Sequence, residues 1–340
     1  MSSIQTRDDQ PRGNPTGFRE VWWSVKNPPA NPTDSFHGKT VLVTGANTGL
    51  GFQAALKYAA LKTSHLILAV RSAEKGDAAK ASILRETGCS SDSISVMVVD
   101  LSTFSSVQQF CETLNAQVPR LDVVLLNAGL CTPKFSSSPD GYEIALQVNV
   151  LSTALMALLL LPKLRETAAT SASPPHLCFV NSIGYVDVQS DWLSEGETLV
   201  QRINNPSKFV DRTQYSLVKL AALFVMQGIA ERCSGDANPI IINAACPRLC
   251  KTDLGRNFSF MSHVLTAPFH ALFARTAEEG SRSLVSATTL GPDSVGKLWS
   301  NDEYTAPSKL LASDRGRELY HETWDEVLAI LHKNVSSLSI

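Results

Sequence analysis

The sequence predicts an α/β fold, a doubly wound parallel sheet forming one domain. Three observations lead there. From Lys39 onward, short apolar runs alternate with longer helical stretches. The runs are almost continuously apolar, as suits strands buried on both faces of a parallel sheet. The first run leads directly into a glycine-rich turn that opens a helix. The length of 340 residues, with 44% hydrophobic and 18% charged, is ordinary for one large α/β domain or two small ones.

Residues 1–36 read as a leader rich in Pro, Asn and Asp, with an aromatic patch at Trp22 and Trp23 expected to lie on the domain surface. The domain then runs from 37 to 335, and 336–340 is a tail. The strand candidates are "TVLVT" (40–44), "HLILAV" (65–70), "ISVMVVD" (94–100), "LDVVLL" (121–126), "HLCFVN" (176–181) and "PIIINAA" (239–245). Helix candidates lie near 49–62, 72–87, 103–117, 141–167 and 212–233. A last short strand is expected at "GKLWS" (296–300), before a terminal helix near 313–332. Strand alternating with helix gives the doubly wound sheet. Ligands of such sheets bind beyond the carboxyl ends of the strands, so the residues just after each run carry the function.

Composition narrows the partners. The formal net charge of −2 gives no basic excess for nucleic acid or an anionic membrane. Seven scattered cysteines without a C-x-x-C indicate reduced thiols in a cytosol-like compartment, not a disulfide framework or a zinc site. His263 and His270 have no partner spacing for a metal. The polar N-terminus lacks the apolar core of a secretory signal, so N-x-S matches at Asn257 and Asn334 read as chance. The most apolar run, Val148–Leu161, is shorter than the roughly 20 residues of a membrane span and contains Asn149, Ser152 and Thr153. It reads as a buried helix. A cytoplasmic protein without membrane contact, monomeric or homodimeric, is expected.

After the first strand comes "VTGANTGLGFQAAL". Gly45, Gly49 and Gly51 lack a Cβ, so the turn can be tight and its backbone can approach a pyrophosphate. The helix N-terminus adds N–H groups and partial positive charge. After the second strand, an acidic residue would bind a ribose 2′-hydroxyl; this chain has Arg71 there, with Lys75 nearby. A guanidinium binds a 2′-phosphate that a carboxylate would repel, which favours NADP(H) over NAD(H). The alternative is a solvated surface arginine. Asn47 is expected near the same ribose. Asp100 and Leu101 end the third run, where an Asp can also simply cap the next helix. Asn127, Ala128 and Gly129 follow the fourth run as a flat tripeptide beside a cofactor, or as a plain turn into a helix.

"TGANTGLG" resembles the short-chain dehydrogenase/reductase family, in its retinol-dehydrogenase-like branch with relatives in filamentous fungi. The resemblance covers Gly38 to Leu331. It implies a Rossmann-type fold and cofactor contacts at Gly45, Asn47, Thr48, Gly49, Leu50 and Gly51. Asp100 would meet the adenine, with Leu101 and the tripeptide beside the cofactor. The order Asn149, Ser182, Tyr215, Lys219 resembles the family's catalytic tetrad. By the same resemblance Lys219 binds the nicotinamide ribose, and Asn149 holds a water linking Lys219 to solvent.

The chemistry explains those residue types. Hydride transfer to a carbonyl leaves an alkoxide that needs a proton. A phenol with pKa about 10 is too weak an acid-base near neutrality. An ammonium four residues on, on the same helix face, is expected to lower it, as is the positive ring of the oxidised cofactor. Tyr215 then gives the proton in reduction and takes it in oxidation. Ser182 steadies the carbonyl oxygen. In the connection from Ser182 to Tyr215, "VDVQSDWLSEGETLVQRINNPSKFVD" resembles the longer insert of the branch and is expected beside the pocket.

"ACPRLCKTDLG" follows the sixth run. Pro247 and Thr252 match the family's cofactor contacts there, but Arg248 stands where the family usually has glycine. Either the position needs φ > 0 and the arginine is strained, or its side chain reaches toward substrate or pyrophosphate. Residues 253–275, rich in Phe, Leu and Met, are expected to form a C-terminal substrate lid.

The expected activity is an NADP(H)-dependent interconversion of a secondary alcohol and a ketone or aldehyde on a lipophilic small molecule, in secondary-metabolite biosynthesis. A retinoid, steroid or lipid carbonyl reductase is the alternative substrate class. A non-catalytic nucleotide sensor of the same fold is the alternative of another kind.

Overall fold

The computed structural model describes residues 16–251, 272–335 and 338. The described residues form an eight-stranded sheet: β1 Thr40–Thr44, β2 His65–Val70, β3 Ile94–Val98, β4 Val123–Leu126, β5 His176–Val180, β6 Ile241–Ala245, β7 Leu298–Ser300 and β8 Glu303–Tyr304. Their order is β3-β2-β1-β4-β5-β6-β7-β8. Every pair is parallel except the β7–β8 hairpin. Strand order reverses at β1, which lies between β2 and β4, and this opens a crevice beyond their carboxyl ends. The eighth strand was not expected. It is turned by Asn301 (φ 58°) and Asp302 (φ 65°), and two consecutive left-handed residues of these types match the twist of a tight hairpin.

The helices are α1 Phe18–Lys26, α2 Gly49–Ala60, α3 Ala73–Thr87, α4 Phe104–Gln117, α5 Ile144–Thr170, α6 Leu199–Ile203, α7 Asp211–Arg232, α8 Ala277–Ser286 and α9 Asp314–Asn334. They cover both faces of the sheet. One core lies against α4, α5, α7 and α9, the other against α2, α3 and α8. Helix α5 is long and apolar enough to cross a membrane, yet 89% of its most apolar stretch is buried within the fold. Helices α6 and α8 were not anticipated, although each starts with a reciprocal capping box, Thr198 with Gln201 and Thr276 with Glu279.

The N-terminal segment is, from Thr16 onward, in contact with the domain. Phe36 is fully buried edge-on to Tyr58, with ring centroids 4.8 Å apart. Helix α1 is turned inside out. Its Glu20 and Ser24 face the protein, while Phe18 is 65% and Trp22 44% exposed. The aromatic patch does lie on the surface, against Phe273. Most of the expected lid, and the expected cofactor contact Thr252, fall outside the described residues.

Candidate active site

The turn after β1 is shaped by what it cannot carry. Gly45 and Gly49 adopt φ 66° and 56°, in the left-handed region that favours glycine. A Cβ on Gly51 would stand 2.3 Å from the Gly45 carbonyl oxygen and 2.4 Å from Asn127 Nδ2. The turn is therefore packed tightly on itself and on the loop after β4, at the N-terminus of α2. Asn127 and Ala128 are tied to it through Thr44, whose Oγ1 accepts both of their N–H groups at 2.9 Å. Asn127 Nδ2 donates to the Thr44 carbonyl at 2.8 Å. Thr44, the residue before the glycine, was not singled out from the sequence, though its hydroxyl at the end of an apolar strand was the available signal.

Around the crevice, Arg71 and Lys75 are exposed at the start of α3, beside Ser72, whose hydroxyl accepts the Lys75 N–H at 3.4 Å. Asp100 Oδ1 accepts the Ser102 N–H at 2.9 Å in a turn ahead of α4, while the first N–H of α4, at Phe104, is taken by Asp140 Oδ2 at 2.7 Å, so Asp100 does not cap the helix. Leu101 is buried behind it.

Asn149 lies in a π-helical turn, Gln147–Leu151, within α5. Its amide is bidentate to Leu130: Oδ1 accepts the Leu130 N–H and Nδ2 donates to the Leu130 carbonyl, each at 2.8 Å. The side chain thus pins the loop after β4 and is directed at that backbone, not at Lys219. Ser182 follows β5, and Asn181 sets its place. Asn181 accepts the Ser182 N–H at 2.8 Å, donates to the Lys219 carbonyl at 3.2 Å, and its own N–H donates to Ala245 at the end of β6. Asn181 joins the two strand ends to α7 and was missed in the sequence, where "VNS" gives no hint of its three partners. Gly184 lies between Ser182 and Tyr215: a Cβ there would be 3.4 Å from Ser182 Oγ and 3.7 Å from Tyr215 Cε1. Lys219 Nζ donates to the Val180 carbonyl at 3.2 Å and lies 5.7 Å from the Tyr215 ring centroid. Ser182, Tyr215 and Lys219 therefore converge at the carboxyl end of β5, the side of the sheet on which the glycine turn lies.

Electrostatics depart from expectation here. Burial pushes the Tyr215 phenol up, opposed by its hydrogen-bonding neighbour Ser182. The expected acidification by Lys219 does not prevail: burial dominates the phenol, and the ammonium donates to the Val180 carbonyl. Burial also pushes Lys219 down to about 8. The pair as it stands holds a neutral phenol beside a lysine whose proton is loosely held.

Comparison with known proteins fits this geometry. Residues 39–173 match the short chain dehydrogenase family. The chain is 44% identical to the short-chain dehydrogenase/reductase ffsI of Aspergillus flavipes, over 92% of this chain and 91% of that one. It is 42% identical to the short-chain dehydrogenase/reductase phmF of Phaeosphaeria nodorum, over 95% and 94%. The chain is a short-chain dehydrogenase/reductase. Solved structures share the fold of this dehydrogenase/reductase at lower identity. A short-chain dehydrogenase from Shigella flexneri complexed with NADP has a TM-score of 0.57 at 22% identity, covering 80% of this chain and all of that one. The RhlG/NADP active-site complex of Pseudomonas aeruginosa has a TM-score of 0.59 at 20% identity, covering 80% and 97%.

This dehydrogenase/reductase departs from its family at Arg248, which adopts φ 63°. The strained alternative is the one found. The side chain is buried within the fold. It turns to the N-terminal helix, where Arg248 and Glu20 form an ion pair at 3.2 Å with both side chains 5% exposed. Arg248 Nε also donates to Ser300 Oγ at 2.8 Å. Pro247 is buried at the end of β6.

Proposed function

We propose that this short-chain dehydrogenase/reductase is NADP(H)-dependent and interconverts a secondary alcohol and a ketone or aldehyde on a lipophilic small molecule, reduction being the working direction. The convergence of Ser182, Tyr215 and Lys219 beside the glycine turn carries the reading.

The cradle fits a dinucleotide. The turn of Gly45, Asn47, Thr48, Gly49, Leu50 and Gly51 would hold the pyrophosphate side, and Asp100, Leu101 and Asn127–Gly129 would flank the rest. Arg71 and Lys75, exposed where an acidic residue would select NAD(H), would take a 2′-phosphate. Lys219, with Pro247 and Thr252, would hold the nicotinamide end. When bound, NADPH supplies the hydride that reduces the carbonyl carbon.

The protein's own groups do the rest. The Ser182 hydroxyl donates to the carbonyl oxygen and steadies its growing charge. The Tyr215 hydroxyl, kept neutral by burial, passes its proton to that oxygen. Lys219, mostly protonated at neutral pH, stands next to the phenolate that results and steadies it. Asn149 keeps the Leu130 loop in place, and Cys131 on that loop is a near neighbour of both Tyr215 and Lys219. Apolar side chains Val186, Trp192 and Leu193 of the insert beyond Ser182 lie partly buried against the core and suit a lipophilic substrate. Relatives from filamentous fungi support a substrate of secondary-metabolite biosynthesis, and the free cysteines suit the cytoplasm.

The test is Tyr215→Phe in purified protein, assayed against a carbonyl panel with NADPH and NADH in parallel. NADPH affinity is expected to stay while turnover falls about 10³-fold. Undiminished turnover in the variant overturns the assignment.

A further inference from the structure

The loop after β6 is linked to the candidate active site through one sulfur. Cys246 Sγ accepts the Arg248 N–H at 3.4 Å and the Ile183 N–H, next to Ser182, at 3.3 Å. Any shift of the Arg248 backbone is therefore passed to the turn that holds Ser182. Arg248 is in the left-handed region, a conformation that L side chains adopt at a cost and glycine adopts freely. Its guanidinium is buried, and a buried charge is stable only when paired. Its carboxylate partner, Glu20, comes from α1, far away in the chain.

The same helix is fastened at three further points. Arg275, 1% exposed, donates through Nε to the Ser24 carbonyl at 2.8 Å and through a terminal nitrogen to the Asn27 carbonyl at 3.0 Å. These are carbonyls at the C-terminal end of α1, where a cation is favoured. The Arg275 backbone in turn clasps the loop after β6: its N–H donates to Leu249 at 2.9 Å and its carbonyl accepts from Lys251 at 2.8 Å. Ahead of the helix, Thr16 Oγ1 donates to Asp187 Oδ1 at 2.7 Å, on the insert that follows Ser182. Helix α1 thus joins three chain segments on the substrate side: 183–187, 247–251 and 275.

We propose that Glu20 is a positioning residue: through its buried ion pair it holds Arg248 in the left-handed conformation, and so fixes the loop after β6 and the Ser182 turn for productive carbonyl binding. The catalytic consequence rests on the function proposed above, but the positioning itself does not. Glu20 and Arg248 are then interdependent. With glycine at 248 the left-handed backbone needs no partner, and Glu20 becomes dispensable.

The experiment is a double-mutant cycle of Glu20→Gln and Arg248→Gly in the full-length chain. The first readout is amide hydrogen exchange at residues 183, 246 and 248–251, which needs no turnover. Glu20→Gln should speed exchange there about tenfold or more, and should add less than twofold in the Arg248→Gly background. The second readout is steady-state kinetics with whichever carbonyl the panel identifies. Glu20→Gln should raise KM for the carbonyl and lower kcat, together costing about tenfold in kcat/KM. Arg248→Gly should rescue the loss. Unchanged exchange in Glu20→Gln, or an equal loss with and without Arg248, overturns the proposal. If no carbonyl is turned over by the wild type, the function falls while the exchange arm still decides the positioning role.

Discussion

Between β1 and β4 the chain is held by backbone geometry and near neighbours. Left-handed glycines make the turn, Thr44 ties it to Asn127 and Ala128 just after the adjacent strand, and nothing larger than hydrogen fits at Gly51. Beyond β5 the chain is held by side chains from remote places. Asn181 reaches α7, Arg248 reaches Glu20, and Arg275 reaches the end of α1. In the function proposed above, the first region holds the cofactor by a fixed backbone, whereas the loops of the second are steadied by side chains from distant segments. The lesson is that a departure such as Arg248 is tolerable where side chains support the loop, and would not be tolerated in the glycine turn.

The sharpest test of this contrast sits where the two regions meet. Tyr215→Phe, with its expected loss of about 10³-fold in turnover, amounts to about 4 kcal/mol and leaves the cofactor region intact. Parallel loss of NADPH binding would mean that the two regions are not separable. Next comes Gly51→Ala. With no room for a Cβ, it should cost about 2–3 kcal/mol in stability by overpacking and weaken NADPH binding at least tenfold, measured by thermal melting and fluorescence titration. A variant that binds NADPH like the wild type would break the claim that this region is held by close backbone approach.

Lys219→Met should act in the opposite sense on stability. The lysine is pushed from 10.5 to about 8 by burial, so the unfolded chain binds its proton more readily than the folded one. The penalty is complete below pH 8 and fades as pH rises toward 10.5. Replacing the lysine should therefore stabilise the cofactor-free protein at pH 7 by up to about 3 kcal/mol, with the advantage shrinking between pH 8 and 10.5, while turnover is lost. Chemical denaturation of both proteins across that range reads it directly. The smallest expected effect is at the edge of the cofactor region: Arg71→Glu should shift the NADPH-over-NADH preference in kcat/KM by about tenfold or more, about 1.4 kcal/mol, with little change in melting temperature. An unaltered preference would return Arg71 to the solvated surface.

Much of the first region was legible. "TGANTGLG" after an apolar run specifies strand, turn and helix, because left-handed turns and strand burial depend on residues next to each other. The Tyr215–Lys219 spacing placed both groups on one helix face for the same reason. Arg248 was legible in part: the position pointed to a positive φ, but its partner did not follow, since Glu20 comes from the far N-terminal helix. Helix α1 was hidden for a related cause. Its polar Glu20 and Ser24 point inward and its aromatic Phe18 and Trp22 point outward, so the usual inference from apolar periodicity runs backwards. Asn149 was picked out as an amide in an apolar helix, which needs partners, but that they are both on Leu130 depends on the π-turn that re-aims it.

The sequence alone determined the parallel α/β sheet, the glycine cradle and the order of the tetrad, since each follows from local backbone preference and short-range spacing. Only the tertiary structure decided that burial outweighs the ammonium at Tyr215, that Asn149 grips Leu130, and that Arg248 is paired to the N-terminal helix. Desolvation and ion pairing depend on which distant groups the folded chain brings around a side chain, and no local pattern records them.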